Sequence, residues 1–236
     1  MIELKKIGIG YKEMILEANL MLQKGELYAL IGKNGSGKTT FLQTLAGNIK
    51  TLSGTINVNQ QDLATLSIHE KAKQIAFVET RFPNVQFMSG WEFISLGRTP
   101  HLGALGILSE EDNRQIELIF EYLEIQYLKN KYTNEMSDGE RQTLLVARSL
   151  VQQTDIILLD EPSAFLDYLN KRKLIEKLIQ TTKDLQKCII FSSHDIELCL
   201  EFHVPILLVN DQLKTVEISI SNQKAEILKE AFGLKI

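Results

Sequence analysis

Glu26-Leu27-Tyr28-Ala29-Leu30-Ile31-Gly32-Lys33-Asn34-Gly35-Ser36-Gly37-Lys38-Thr39-Thr40 is the stretch that decides the fold. Glu26 to Ile31 is a short, mostly apolar run suited to a buried strand, and Thr39 to Ala46 has helical spacing before Gly47 supplies a stop. Between them the chain fills the pattern G-x-x-x-x-G-K-[ST]. Strand, glycine loop and helix in that order form a cradle for a nucleoside triphosphate. The glycines let successive backbone N–H groups converge on phosphate oxygens, Lys38 adds a point charge at the β/γ-phosphates, and the Thr39 hydroxyl can reach Mg²⁺. The helix behind the loop adds the positive end of its dipole. Gly32, Lys33, Asn34, Gly35, Ser36, Gly37, Lys38, Thr39 and Thr40 are therefore the candidate nucleotide ligands.

The 236 residues suffice for one large domain, and an apolar share of 44% is ample for a packed core. Gly and Pro are sparse, and no repeat or low-complexity tract interrupts the chain. The net charge of −4, with no dense Lys or Arg block, advertises no nucleic-acid partner. Met1 opens directly into Ile-Glu-Leu-Lys-Lys, without the apolar segment of about 7 to 15 residues that marks a secretory signal. No window approaches the roughly 18 uninterrupted apolar residues of a membrane span. The expectation is a cytoplasmic protein whose connection to a membrane runs through a partner. Cys188 and Cys199 read as small buried hydrophobes, not as a disulfide or metal pair.

The first 60 residues alternate like half-buried antiparallel sheet: Leu16, Ala18, Leu20 and Leu22 against Glu17, Asn19 and Met21, then Thr55 to Asn59 after Gly54. From about 84 to 152 the period becomes helical, with Ser109-Glu110-Glu111-Asp112 as a cap before Ile116, Ile119, Phe120 and Leu123 on one face. Beyond it come an apolar strand at Ile156 to Leu159, a charged helix from Tyr168 to about Asp184, and strands at Cys188 to Phe191 and near Ile206 to Val209. Residues 214–236 read as a strand and a terminal helix. The pattern predicts an α/β fold of P-loop type: a mostly parallel core sheet, an N-terminal antiparallel β subdomain, and a helical subdomain inserted in a single domain of residues 1–236.

Chemistry gathers at the strand ends. Asp160 and Glu161 close a buried strand at the carboxyl edge, where ligands bind in open parallel sheets. Asp160 is placed to hold Mg²⁺, and Glu161 to orient or deprotonate the water that attacks the γ-phosphate. His194 closes the next strand and is a candidate to hydrogen-bond the γ-phosphate and hold Glu161 and water in register. Met136 to Gln142 begins another helix: Ser137 and Glu140 form a capping box, and the N-terminal N–H groups also make an anion site.

These pieces, taken in order, resemble the ATP-binding subunits of ABC transporters over essentially the whole chain. Gly32 to Thr39 matches the Walker A loop, Ser137 to Gln142 the signature, and Ile156 to Asp160 with Glu161 the Walker B strand. Ser163-Ala164-Phe165-Leu166-Asp167 is similar to the D-loop, and His194 to the switch histidine. The resemblance implies an ATPase using ATP and Mg²⁺, a homodimer in which Ser137, Asp138, Gly139 and Glu140 face the other copy's nucleotide, and Asp167 in the D-loop. It further implies a separate integral-membrane permease, an associated substrate-binding protein, and a site at the cytoplasmic face of the membrane. Tyr11 would stack on adenine. Gly97-Arg98-Thr99-Pro100-His101 is similar to the subfamily serving iron-siderophore, haem and cobalamin importers.

There are two departures from the family pattern. The usual signature reads Leu-Ser-Gly-Gly-Gln, whereas Met136, Asp138 and Glu140 stand here, adding negative charge near a phosphate at an expected cost on the order of a kcal/mol. The family's glutamine near Thr80 is absent, so Glu79 or Thr80 must supply its contact to Mg²⁺. A soluble ATPase of iron–sulfur assembly and a hydrolysis-impaired nucleotide-binding regulator stay open as alternatives.

Overall fold

A computed structural model describes residues 1–83, 85–210 and 213–219. The described strands are β1 (Ile2–Gly10), β2 (Met14–Leu22), β3 (Leu27–Ile31), β4 (Ser53–Val58), β5 (Gln61–Asp62), β6 (Ile75–Val78), β7 (Ile156–Leu159), β8 (Cys188–Ser193), β9 (Ile206–Asn210) and β10 (Thr215–Ile218). The helices are α1 (Lys38–Leu45), α2 (Ile68–Gln74), α3 (Gly90–Ser95), α4 (Glu110–Tyr122), α5 (Asp138–Val151), α6 (Tyr168–Asp184) and α7 (Ile196–Glu201).

All the strands join one sheet in the order β5-β4-β1-β2-β10-β9-β3-β8-β7-β6. β1 pairs antiparallel with β2 and β4, and β2 buries Leu16, Ala18 and Leu22 while exposing Glu17, Asn19 and Met21, the expected alternation. On the other side β9, β3, β8, β7 and β6 are parallel. β10 joins the halves: it runs parallel to β2 and antiparallel to β9. The strand expected after residue 214 is thus the link between the two sheet regions. The terminal helix expected beyond it lies outside the described residues.

β3 sits between β9 and β8 and is buried along its whole length, so it needs apolar side chains on both faces. Leu27, Ala29 and Ile31 enter one core cluster, Tyr28 and Leu30 the other. The second cluster holds Phe41, Leu42 and Leu45 of α1, which fixes that helix, and the loop before it, over the sheet. Between β6 and β7 come α3, a 3₁₀ turn at Leu96–His101, α4 and α5. Their apolar faces, including Phe93, Ile116, Phe120 and Leu144, share the first cluster with Val78, Leu159 and Phe191, so the helical segment packs directly on the sheet.

The resembling stretch Gly97 to His101 is a clamp inside this segment. Arg98 and Asp112 form a buried ion pair at 2.7 Å, and Arg98 also donates to Val151 O and Gln153 Oε1. The Ser109 hydroxyl first, then its N–H and the Arg98 guanidinium, outweigh desolvation and hold the Asp112 carboxyl down at about 2. Cys188 and Cys199 are buried free thiols, each pushed up to about 12 by burial.

Candidate nucleotide site

The loop after β3 turns under steric constraint. Gly37, at φ +99°, adopts the left-handed backbone that caps α1, and a Cβ there would stand 2.9 Å from Leu16 Cδ1. A Cβ on Gly32 would stand 2.8 Å from both Ser36 Oγ and Val209 Cβ. Lys38 is buried and its Nζ donates to Gly32 O at 2.9 Å and Lys33 O at 3.0 Å, closing the loop on itself. An ammonium has three donors, so one remains for an anion. Burial lowers the Lys38 pKa, opposed by the charges of Glu161 and Asp160. Ser36 Oγ is buried and, among the described residues, has no hydrogen-bond partner. Such an orphaned hydroxyl, in a glycine loop leading into the N-terminus of α1, fits a phosphate oxygen.

Register brings the carboxylates to this loop. In the parallel pairs β7–β8 and β8–β3, Leu159 faces Phe191 and Ile31 faces Ser193, so Asp160, Glu161, His194 and Gly32 leave the sheet at one edge. Thr39 Oγ1 donates to Asp160 Oδ2 at 2.7 Å. Ser192 Oγ donates to Asp160 Oδ1 at 2.7 Å and accepts from Glu161 N at 2.7 Å. Glu161 has φ +47°, uncommon for a residue with a side chain, and its Oε1 lies 2.9 Å from His194 Nε2. A carboxylate only accepts, so Nε2 carries the proton of that bond. The result is a continuous hydrogen-bonded path from Thr39 through Asp160 and Ser192 to Glu161 and His194. Thr39 and Asp160 together offer the hard oxygen donors that suit Mg²⁺ beside phosphate.

The other expected site residues are distributed around this edge. Tyr11 lies in the turn between β1 and β2 and is 72% exposed, so it is not a core aromatic. Glu79 follows β6 beside Asp160, since Val78 pairs with Leu159; Glu79 is exposed and Thr80 half-buried. No group of three or more His, Cys, Asp or Glu side chains able to hold a metal ion occurs among the described residues. Asp167 caps α6, its Oδ1 accepting from Asn170 N at 2.9 Å.

Ser137 caps α5 with the expected box: Glu140 N donates to Ser137 Oγ at 3.3 Å and Ser137 N to Glu140 Oε2 at 2.7 Å. The added negative charges are compensated. Lys131 Nζ donates to both Glu140 oxygens at 2.8 Å, and Arg141 Nη1 lies 3.2 Å from Asp138 Oδ1. Desolvation raises the Glu140 pKa, but the Lys131 bond and the two Ser137 bonds outweigh it and hold the carboxyl below its ordinary range. Lys131, like Ser192, was not marked in the sequence. Nothing in its neighbourhood has a period or a motif; only the serine that ends an otherwise apolar strand offered a signal for Ser192.

A family model described as ABC transporter matches residues 15–164. The chain belongs to the ABC transporter family. It is an ATP-binding subunit of that family and an ATPase by class. It is 32% identical, over 238 residues, to the uncharacterized ABC transporter ATP-binding protein MJ0873 of Methanocaldococcus jannaschii, covering 100% of this chain and 82% of that protein. It is 28% identical to the iron(3+)-hydroxamate import ATP-binding protein FhuC of Bacillus subtilis, over 98% of this chain and 87% of that one. The bacterial ABC transporter cassette MJ0796, solved as a dimer and in a post-hydrolysis state with ADP and phosphate, superposes with a TM-score of 0.77. That match has 26% identity and covers 92% of this chain and 97% of the other. The ABC cassette is therefore the fold of this chain, and no described helix is long and apolar enough to cross a membrane.

Proposed function

We propose that two copies of this chain clamp two ATP molecules and drive import of an iron-siderophore, haem or cobalamin type of cargo through a separate permease. The hydrogen-bonded path from Thr39 to His194 beside the phosphate loop carries the reading. The backbone of Gly32 to Thr40 and the Lys38 ammonium hold the β/γ-phosphates; Thr39 and Asp160 hold Mg²⁺, with Glu79 or Thr80 in place of the missing glutamine. When bound, Mg²⁺ supplies charge neutralisation across the phosphate oxygens. Glu161 orients the attacking water and accepts its proton, and His194 keeps Glu161 aimed. Tyr11 stacks on the base.

The second half of each site is Ser137 to Glu140 of the other copy, flanked by Asp167. Gly139 supports this: its own chain leaves space at that position, since a Cβ would meet only Leu166 Cδ2, at 3.4 Å. Pairing of Glu140 with Lys131 also removes the reason to regard the signature as hostile to phosphate, which favours hydrolysis over a merely regulatory role. The importer class rests on the relatives, including the hydroxamate protein. Exposed Phe87, Leu105 and Ile107 in the helical segment of 84–152 provide apolar surface for a permease loop at the cytoplasmic face.

Glu161→Gln tests the mechanism: ATP binding persists, turnover nearly vanishes, and a dimer accumulates in size-exclusion chromatography with ATP and Mg²⁺. Normal turnover, or a mutant that stays monomeric, refutes it. Copurification with a polytopic membrane protein and its substrate-binding protein supports the transporter assignment. Copurification with soluble iron–sulfur assembly partners overturns it.

A further inference from the structure

Ser192 holds a position where packing alone asks for an apolar side chain. β8 is buried end to end, and Ser192 itself is 0% exposed. Strand parity puts Cys188 and Ile190 in the cluster that also takes Ile156 and Leu158 of β7. Continued by one step, Ser192 and Asp160 fall on that same face, towards α1 and Thr39. Ser192 is also the neighbour of Leu30 in β3, so it stands between the strand that feeds the phosphate loop and the strand that delivers the carboxylates.

Its hydroxyl is used in both directions. The proton points at Asp160 Oδ1 and a lone pair receives the Glu161 N–H, each at 2.7 Å. The backbone N–H of Glu161 can only donate, so the hydroxyl accepts there and spends its own proton on Asp160. Asp160 Oδ2 is taken by Thr39, so both carboxylate oxygens have a set donor. The second bond falls at the residue with φ +47°, and a sparsely populated backbone conformation persists only where the surroundings impose it. That turn sends the Glu161 side chain to His194.

We propose that Ser192 is a positioning residue for ATP hydrolysis, tying the metal-holding carboxylate of Asp160 to the backbone turn that aims Glu161. It touches neither nucleotide nor water; it acts through those two residues. The proposal rests on the roles given to Asp160 and Glu161 above.

Ser192→Val and Ser192→Thr form the test pair, because they have nearly the same shape and differ in the hydroxyl. The valine variant is expected to lose about 10- to 100-fold in kcat relative to the threonine variant, the usual scale for partners that orient metal ligands. Mn²⁺ binding in the presence of ATP, followed by electron paramagnetic resonance, weakens in step, whereas ATP affinity in EDTA is unchanged. Equal turnover by the two variants overturns the proposal. Should both larger side chains lower the melting temperature, Ser192→Ala removes only the oxygen, and native-like kcat and Mn²⁺ affinity in that variant overturn it equally. Glu161→Gln is run alongside. If it turns over normally, the role of Glu161 itself fails; if it is inactive while Ser192→Val is fully active, Ser192 alone fails.

Discussion

Replacing Lys131 with methionine isolates what neutralises the acidic signature. The Lys131 ammonium lies 2.8 Å from both Glu140 oxygens, and the two side chains are 32% and 18% exposed. Methionine keeps most of the aliphatic stem, so the loss in folding stability is that of a partly exposed pair, about 1 kcal/mol or less. The larger effect falls on assembly. Glu140 stays ionised at the start of α5, now unpaired, and would face the γ-phosphate brought by the other copy. Two unit charges about 8 Å apart repel by about 1 to 2 kcal/mol at an effective dielectric of about 20 to 40. With two such sites in each dimer the loss totals about 2 to 4 kcal/mol, roughly 30-fold to nearly 1,000-fold weaker ATP-driven dimerisation. The assay is sedimentation of the dimer against ATP concentration in a Glu161→Gln background, where hydrolysis does not empty the site. Glu140→Gln combined with Lys131→Met should restore the native midpoint, and raising salt should shrink the single-mutant loss. An unchanged midpoint in Lys131→Met, or an equal loss in the double mutant, refutes the reasoning.

Lys38→Ala removes the buried ammonium from the phosphate loop and should abolish ATP binding by calorimetry; native affinity refutes its role. Arg98→Ala strands the buried Asp112 charge and should cost about 3 to 5 kcal/mol in urea unfolding, as expected when one partner of a buried pair is lost. Asp112 also sets an acid window. Its folded value, about 2, lies below the ordinary 3.8, so its contribution is complete above 3.8 and is lost as pH falls towards 2. Asp112→Asn should flatten that limb of the stability curve, and an unchanged acid limb contradicts the assignment.

Much of this was legible because it is local. A strand, a glycine loop and a helix in sequence order specify their own geometry. The charged helix appears at Tyr168–Asp184 as its period predicted, and Ser109 and Ser137 make the capping boxes their spacing implied. Asp160, Glu161 and His194 were found because they end apolar strands, and parallel strands present their carboxyl ends together.

Tertiary structure decided what depends on segments far apart in the chain. Thr39 meets Asp160 across 121 positions and Glu161 meets Ser192 across 31, and no period or cap encodes such a meeting. The Ser192 bond that meets the left-handed turn at Glu161, the bonds from Arg98 to Val151 and Gln153, and the use of β10 to join the sheet halves all belong to this class. Sequence by itself determined the phosphate loop, the sheet type and which polar residues close the apolar strands, because backbone propensity and side-chain alternation act over a few residues. Their pairing into one hydrogen-bonded path came only from strand register and packing. Those depend on which distant surfaces bury together, and a one-residue slip would have pointed the same side chains elsewhere.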